Sequence, residues 1–234
     1  MTTIIQKEAI ILAGGFGTRL QGVLKDLPKP MAPIHGRPFL EYILDWLIGF
    51  DYTHVVLSTG YLHEKVEEHF GTSYKGVELS YAHETEPLGT GGAIRFALSH
   101  CYTDEALVLN GDTLFRVNLA AFEHFFHEKN CMLAIALREV EEVSRYGSVI
   151  IGDDGQIIHF SEKEASEGRG LINGGVYYLS KKIFDKYPCA QKFSFEKELM
   201  EKLYMREQFF AMVSNGYFID IGIPSDYARA QVEL

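Results

Sequence analysis

The chain has 234 residues, of which 47% are hydrophobic and 23% are charged, and its formal net charge is −10. A chain of this size can bury a full core, and its acidic balance argues against nucleic acid as a main partner, because domains that bind nucleic acid usually carry a basic face. Residues 1–7 are polar and no apolar run reaches about 18 residues, so we predict neither a signal peptide nor a membrane span. The three cysteines, Cys101, Cys131 and Cys189, are widely separated, which predicts reduced thiols in a cytoplasmic protein.

Short apolar strands alternate with amphipathic helices over the first part of the chain. Strands are predicted at 8–12, 54–58, 77–82, 106–109 and 132–137. Helices are predicted at 38–47, 61–70, 90–100 and 119–127. This alternation predicts an α/β fold with a Rossmann-like, open, mostly parallel sheet and helices on both of its faces.

The second part of the chain has a different pattern. Two strands, 148–151 and 157–160, flank the turn Gly152–Gly155 and predict a β-hairpin. Further strands are predicted at 171–179, within 207–213 and at 216–221, and helices at 195–204 and 224–232. Because no linker or repeat separates the parts, we predict one domain over 1–234 with a mixed sheet and no appended C-terminal β-helix.

A glycine turn follows the first strand in the stretch ILAGGFGTRL, residues 11–20. Ligands of open parallel sheets bind beyond the carboxyl ends of the strands, where glycines let the backbone approach them closely. The spacing excludes a Walker loop, which needs Gly-Lys before Ser or Thr, and the dinucleotide fingerprint, because Leu20 stands where its third glycine would be. Arg19 suggests a cation facing phosphate oxygens, and the alternative is a tight surface turn with a solvated arginine.

A proline-rich segment, LPKPMAPI, follows at residues 27–34. Prolines stiffen the backbone and disfavour helix, so the segment can hold Lys29 in one place as a point charge for a phosphate. The alternative is a proline-rich surface loop.

The glycine turn followed by the PKP element resembles the sugar-1-phosphate nucleotidyltransferase family. The likeness continues in EPLGTGGA (86–93), NGDTL (110–114), EK (162–163), NGGVY (173–177) and FIDIGIP (218–224). Within the family, KDLPKPMAPI, GLINGG and FIDIGIP together resemble the heptose-1-phosphate guanylyltransferases. The resemblance implies a single-domain nucleotidyltransferase fold, with a nucleotide-binding part at about 1–140 and a sugar-phosphate-binding part at about 141–234.

The reaction that the resemblance implies joins two polyanions. A phosphate oxygen of a sugar 1-phosphate attacks the α-phosphorus of a nucleoside triphosphate, with GTP and D-glycero-D-manno-heptose 1-phosphate expected, and pyrophosphate leaves. The nucleophile is already anionic near neutral pH, so no general base is required, and the chemistry calls for Mg²⁺ and fixed cations. The product would be a GDP-heptose for surface polysaccharide.

Two aspartates are the candidate metal ligands. Asp112 follows the strand ALVL, and Asp220 lies inside YFIDIGI, where a buried carboxylate would be costly without a partner. Two carboxylates with phosphate oxygens and waters suit Mg²⁺, and the family likeness assigns the metal to these positions.

The resemblance also assigns the remaining site residues. The catalytic set is Arg19, Lys29, Asp112 and Lys163. The nucleotide-binding set is Leu12, Ala13, Gly14, Gly15, Gly17, Thr18, Arg19, Lys29, Glu84, Pro87, Gly89, Thr90, Gly111 and Asp112. The sugar-phosphate-binding set is Asn110, Gly147, Glu162, Lys163, Asn173 and Gly174. Neighbours on a strand face opposite sides, so Glu162 and Lys163 reach one ligand only if that segment bends.

The choice of base rests on Glu84, with Glu86 as a second candidate. Guanine presents N1–H and N2–H₂ as paired donors that one carboxylate can accept, which favours GTP. Mannose 1-phosphate with GTP, glucose 1-phosphate with dTTP and N-acetylmuramate 1-phosphate with UTP remain alternatives. A glycosyltransferase or a non-catalytic nucleotide-binding module is the alternative from another class, and a homo-oligomer is possible.

Overall fold

The computed structural model describes residues 6–15, 20, 24, 26–144, 146–162 and 168–234. The strands are β1 Glu8–Leu12, β2 Pro33–Ile34, β3 Arg37–Pro38, β4 His54–Thr59, β5 Ser73–Tyr74, β6 Val77–His83, β7 Glu105–Asn110, β8 Thr113–Phe115, β9 Leu133–Val140, β10 Ser148–Ile151, β11 Ile157–Ser161, β12 Gly170–Ser180, β13 Phe210–Val213 and β14 Phe218–Asp220. The helices are α1 Phe39–Ile48, α2 His63–Phe70, α3 Gly89–Leu98, α4 Leu119–Lys129, α5 Lys182–Lys186, α6 Glu201–Leu203 and α7 Pro224–Glu233. A 3₁₀ turn covers Lys29–Met31, and a π-helical turn, Phe195–Met200, precedes α6.

The main sheet has four parallel strands from the first part of the chain, the short edge strand β5 antiparallel to β6, and mixed pairing in the second part. Strands β7, β1, β4 and β6 are neighbours in that order and run parallel. Strand β12 joins antiparallel to β7 and also pairs with β9 and β10. The sheet therefore continues from the first part of the chain into the second, and the predicted mostly parallel, mixed sheet is confirmed.

Helices cover both faces of this sheet because the central strands alternate their side chains between two cores. Ala9 and Ile11 of β1 belong to one core, which packs under α1, α2, α4 and α7. Ile10 belongs to the other core, which packs under α3, the π-helical turn and α6. The continuous apolar runs of the parallel strands follow from this burial on both faces.

The structure adds short elements that the sequence pattern does not predict. These are β2, β3, β5, β8 and α5, of which β8 pairs antiparallel with β14. Elements of two to five residues are too short for periodicity to reveal. Helix 195–204 is predicted in the right place, but its first part is π-helical. Within the described ranges, no helix has the length and apolar character needed to cross a membrane.

The cysteines are free and partly buried. Burial raises the pKa of the Cys101 thiol to about 12 and that of Cys131 to about 11. Thiols with raised pKa values are poor nucleophiles at neutral pH, which agrees with a packing role.

A buried carboxylate ties the sheet together at the end opposite to the loops that follow the parallel strands. Glu8 accepts hydrogen bonds from His54 Nδ1 (2.6 Å), the Tyr102 amide (2.9 Å), the Thr103 amide (2.6 Å) and the Thr103 hydroxyl. Burial alone would raise the pKa of Glu8, but these hydrogen bonds outweigh it and lower the pKa below its usual value.

Glu8→Gln should destabilise the fold by about 2 kcal/mol near pH 7, because the amide cannot accept all of these hydrogen bonds. A carboxylate with a lowered pKa in the folded state stabilises the protein above the unfolded pKa and loses that contribution as the pH falls. The difference from the wild type should therefore shrink below the ordinary glutamate pKa of about 4.3. Urea unfolding at neutral and acidic pH measures it. Glu64→Gln, at an exposed position, is the control, and equal effects in both variants would contradict this role.

Candidate active site

A cavity of about 560 Å³ opens at the carboxyl ends of the four parallel strands. Leu12 ends β1, Gly60 follows β4, His83 ends β6 and Asn110 ends β7, and all four line the cavity. This is the position at which open parallel sheets bind their ligands.

Most of the described residues expected to bind a nucleotide line this cavity. They are Leu12, Gly14, Gly15, Lys29, Glu84, Pro87, Gly89, Thr90 and Asp112. Ala13 and Gly111 do not line it: Ala13 is buried, and the Gly111 amide donates to the Leu12 carbonyl at 3.0 Å. Gly17, Thr18 and Arg19 lie outside the described residues.

Further lining residues escaped the sequence analysis. They are Pro30, Gly60, Tyr61, His83 and Ala93. Gly60 and Tyr61 directly follow β4, and His83 is the last residue of β6. Applying the rule for strand ends to every parallel strand would have found these three.

Glu84 is held in a fixed orientation beside the glycine turn. Its Oε1 accepts the Ser58 hydroxyl at 3.2 Å, and its Oε2 accepts the Leu88 amide at 3.0 Å. A Cβ on Gly14 would lie 2.8 Å from Oε1, so a larger residue there would push this carboxylate aside. A carboxylate has about four acceptor sites, so Glu84 can accept further hydrogen bonds from a flat base. Glu86 is exposed and does not line the cavity.

Lys29 and Asp112 form an ion pair at the floor of the cavity. The 3₁₀ turn buries Pro30 and Met31, and the Lys29 side chain is only 14% exposed. Most of the segment 27–34 is therefore packed and not exposed, and the alternative of a proline-rich surface loop is wrong. Asp112 Oδ1 also accepts the Thr113 hydroxyl at 3.2 Å.

Asp220 is brought next to Asp112 by the pairing of β8 with β14. Asp220 lies opposite Thr113 in this pair, and the Ile221 amide donates to the Asp112 carbonyl at 2.9 Å. Burial and the charge of Asp112 raise the pKa of Asp220 to about 6, while Lys29 and a hydrogen bond from the Gly222 amide oppose the shift. Two carboxylates so close that the charge of Asp112 raises the pKa of Asp220 are a donor pair that fits a divalent cation.

No cluster of three or more metal-binding side chains (His, Cys, Asp or Glu) occurs among the residues the structure describes. Mg²⁺ usually takes only one or two protein carboxylates and completes its shell with waters and phosphate oxygens. The pair Asp112 and Asp220 therefore fits Mg²⁺ better than a metal that needs a cage of protein ligands.

Two of the residues expected to bind the sugar phosphate, Asn173 and Glu162, lie near Tyr177. Asn173 Nδ2 donates to the Tyr177 hydroxyl at 2.8 Å, and the charge of Glu162 contributes to the raised pKa of Tyr177. Asn110, which lines the cavity, approaches the same segment, since a Cβ on Gly175 would lie 2.6 Å from its Nδ2. The cavity and the segment that carries Asn173 therefore adjoin at Asn110.

Glu162 follows the end of β11, so the alternation of strand side chains does not apply to it. Lys163 lies outside the described residues. The two glycines of this set allow close packing: Gly147 packs against the backbone of Ser161 and Glu162, and Gly174 packs against the Phe115 ring.

Comparison with known proteins agrees with this geometry. A profile of the family described as nucleotidyl transferase matches residues 8–234. This chain belongs to the nucleotidyl transferase family. The expected family is thereby confirmed, and the alternative of a glycosyltransferase is wrong.

Similar members of the family carry more specific names. The chain is 47% identical to the D-glycero-α-D-manno-heptose 1-phosphate guanylyltransferase of Aneurinibacillus thermoaerophilus, over 97% of this chain and 98% of that protein. It is 43% identical to the enzyme of the same name from Campylobacter jejuni, over 94% and 96% of the two chains. The crystal structure of HddC from Yersinia pseudotuberculosis superposes with a TM-score of 0.86 at 38% identity, over 97% of this chain and 99% of that one. HddC has also been solved in a complex with GMP-PN.

For this nucleotidyl transferase, Asp220→Asn should raise the free energy of unfolding by about 1–2 kcal/mol at pH 7.5 without divalent metal. The folded protein holds the Asp220 proton more tightly than the unfolded chain, so stability is lost as the pH rises from the ordinary aspartate pKa of about 3.9 through about 6, and the full penalty is present above that. The neutral amide removes the repulsion from Asp112 and can still accept the Gly222 amide.

Urea unfolding in EDTA measures this gain. Asp104→Asn, which removes an exposed ion pair with Lys181, is the control. A lower free energy of unfolding in Asp220→Asn than in the wild type would contradict the proposed repulsion between Asp112 and Asp220.

Proposed function

We propose that this protein transfers GMP from GTP to D-glycero-D-manno-heptose 1-phosphate, with GDP-heptose and pyrophosphate as products. The observation that carries the proposal is the 47% identity, over nearly the whole of both chains, to an enzyme named for this activity. The complex of HddC with GMP-PN, a guanosine nucleotide, supports the choice of base.

The cavity at the strand ends is the proposed nucleotide site. Glu84 accepts the N1–H and N2–H₂ groups of guanine, since its carboxylate already has a fixed orientation. The glycine turn, including Gly17 and Thr18, supplies amides for the phosphates, and Arg19 and Lys29 bind the triphosphate and the leaving pyrophosphate.

The segments around Tyr177 are the proposed sugar-phosphate site. Glu162 accepts hydrogen bonds from sugar hydroxyls, and Asn110 and Asn173 contact the sugar or its phosphate. Gly147 and Gly174 have no side chains and so let the neighbouring segments pack closely around this site. Lys163 binds the phosphate of the incoming sugar. The proposed division of the domain is at about residue 140, the end of β9.

Asp112 and Asp220 are the proposed ligands of Mg²⁺. The cation supplies neutralisation of the phosphate charges and of the leaving pyrophosphate when it is bound. The ion pair of Lys29 with Asp112 orients the aspartate and brings the ammonium group to the floor of the cavity. The protein residues hold the sugar phosphate oxygen in line with the α-phosphorus. They supply no general base, because this nucleophile is already anionic.

The cytoplasm is the proposed compartment, because the free cysteines suit a reducing environment. The product is proposed to serve surface polysaccharide synthesis, and a homo-oligomer is a further proposal that gel filtration with light scattering can test.

The experiment is a measurement of pyrophosphate release with GTP, ATP, UTP and dTTP, each against the 1-phosphates of the heptose, mannose, glucose and N-acetylmuramate. We expect the highest kcat/KM with GTP and the heptose 1-phosphate, about tenfold or more above mannose 1-phosphate, and no release in EDTA. If another sugar 1-phosphate gave the highest kcat/KM, that sugar would replace the heptose as the proposed substrate. If GTP gave no pyrophosphate release with any sugar 1-phosphate, the guanylyl proposal would be overturned.

A further inference from the structure

Glu196, on the π-helical turn, is a buried carboxylate that contacts three hydroxyl groups. It is 8% exposed, and within the described part of the chain it pairs with no cation. Its Oε2 accepts the hydroxyls of Thr90 (2.6 Å) and Ser194 (3.1 Å), and its Oε1 accepts that of Tyr177 (3.2 Å). A buried carboxylate without a positive partner is costly unless such donors are held in place.

One arm of this network reaches the nucleotide cavity. Thr90 lies in the first turn of α3 and lines the cavity. Its hydroxyl oxygen accepts the Phe195 amide at 2.9 Å, so its single proton is committed to Glu196.

The segment before Glu196 packs tightly along the same end of α3. The Gly91 amide donates to the Phe193 carbonyl at 3.0 Å, and a Cβ on Gly91 would lie 2.1 Å from the Phe193 ring. Arg95 donates to the carbonyls of Cys189 and Ala190, both at 2.9 Å. Segment 189–196 and the start of α3 therefore form one tightly packed body.

The other arm reaches the sugar side. The Tyr177 hydroxyl donates to Glu196 and accepts from Asn173 Nδ2, while Asn173 Oδ1 accepts the Gly175 amide at 3.0 Å. The donors therefore run in one direction, from Asn173 through Tyr177 to Glu196. Burial raises the pKa of Tyr177 well above its usual value, and the charge of Glu196 adds to this, so the phenol keeps its proton.

Asn173 lies where β12 departs from regular pairing. The register with β9 shifts between Asn173 and Tyr177, and Gly175 has a φ of +70° within this stretch. Asn173 is the last residue in register with β9 before this shift, and its side chain is fixed by the hydrogen bonds to Tyr177 and Gly175.

We propose that Glu196 is a positioning residue that couples the nucleotide site to the sugar-phosphate site through Thr90 on one side and Tyr177 with Asn173 on the other. The proposal rests on the proposed function in that Thr90 and Asn173 contact the two substrates. A ligand that orders one arm orders the carboxylate and thereby the other arm, so the second ligand loses less conformational entropy on binding. The same carboxylate keeps the two substrates in register for in-line attack.

Isothermal titration calorimetry measures this coupling as the dissociation constant of the sugar 1-phosphate with and without the non-reacting analogue α,β-methylene-GTP. In the wild type the analogue should tighten sugar-phosphate binding about fivefold or more. In Glu196→Gln the ratio should fall close to one and kcat should fall about tenfold, because the amide can accept on only one side and must donate on the other. Tyr177→Phe, which keeps the ring and removes the hydroxyl, should lose the coupling as well.

Glu8→Gln is the matched control, since Glu8 is another buried carboxylate with several donors but lies at the opposite end of the sheet. It should lose stability and keep the wild-type coupling ratio. Wild-type coupling in Glu196→Gln and Tyr177→Phe, or an equal loss in Glu8→Gln, would overturn the positioning role.

Failure of the proposed function is distinguishable from failure of this inference. Turnover of the wild type with GTP and the heptose 1-phosphate is measured first, and its absence counts against the function alone. The coupling is then measured with the nucleotide and sugar pair that the wild type turns over.

Discussion

Asp112→Asn should lower kcat about 10²–10³-fold while the protein stays folded. The substitution keeps the shape of the side chain but removes the negative charge that pairs with Lys29 and that, with Asp220, would hold the metal. The loss should lie in kcat more than in the KM for GTP, because the charge acts where the leaving group develops its own charge. Steady-state pyrophosphate release over a range of Mg²⁺ concentrations measures the effect.

Asp104→Asn is the matched control for this prediction. Asp104 directly precedes β7, whereas Asp112 follows it, so the two aspartates lie at opposite ends of one strand. Asp104 forms an exposed ion pair with Lys181, which contributes little at the surface. Near-normal turnover in Asp112→Asn, with an unchanged circular dichroism spectrum, would refute its role in the reaction.

Glu84→Gln should lower kcat/KM for GTP about 100-fold, with a much smaller effect on the residual activity with UTP. The amide must keep an oxygen toward the Leu88 amide and then presents its NH₂ group toward Ser58 and the base. Guanine would place two N–H donors against that group, whereas uracil offers one donor between two carbonyl acceptors. The selectivity for GTP over UTP should therefore fall.

The measurement is kcat/KM for GTP and UTP with the same sugar 1-phosphate. Glu86→Gln is the control, because Glu86 is exposed two residues further along and does not line the cavity. An unchanged GTP to UTP ratio in Glu84→Gln, or an equal change in Glu86→Gln, would assign base selection to other residues.

The parts of the site that follow single strands were predictable because their signals are local. Leu12 and Asn110 end apolar runs that predict buried strands, and parallel pairing brings such ends to one edge of the sheet. Glu84 directly follows β6, so the same rule would also have located it, although its assignment came from the family likeness and the paired donors of guanine. Strand length and burial are encoded within a few residues, so the sheet and the location of its cavity could be inferred before any coordinates.

The adjacency of Asp112 and Asp220 required more than local pattern. It depends on β8, a three-residue strand with no detectable periodicity, and on its antiparallel partner β14, which lies more than a hundred residues further along the chain. A family likeness suggested that the two aspartates share a metal, but only long-range pairing gives a physical cause for the raised pKa of Asp220.

Glu196 shows the limit of sequence reasoning on this protein. In the stretch FSFEKELM it stands beside Lys197 and Glu198, and nothing local separates it from a solvated helix face. Its burial arises because residues 189–196 pack on α3 and Tyr177 projects from β12, three segments that are distant along the chain.

The amino-acid order was enough to indicate the family and the longer strands and helices, since propensity, turn residues and apolar period act over short distances. Contacts between distant segments decided the rest. They bring Asp112 next to Asp220, and they bury Glu196 against the hydroxyls of Thr90, Ser194 and Tyr177. Those contacts set the local dielectric and the direction of each hydrogen bond, and neither quantity has a signature within a window of neighbouring residues.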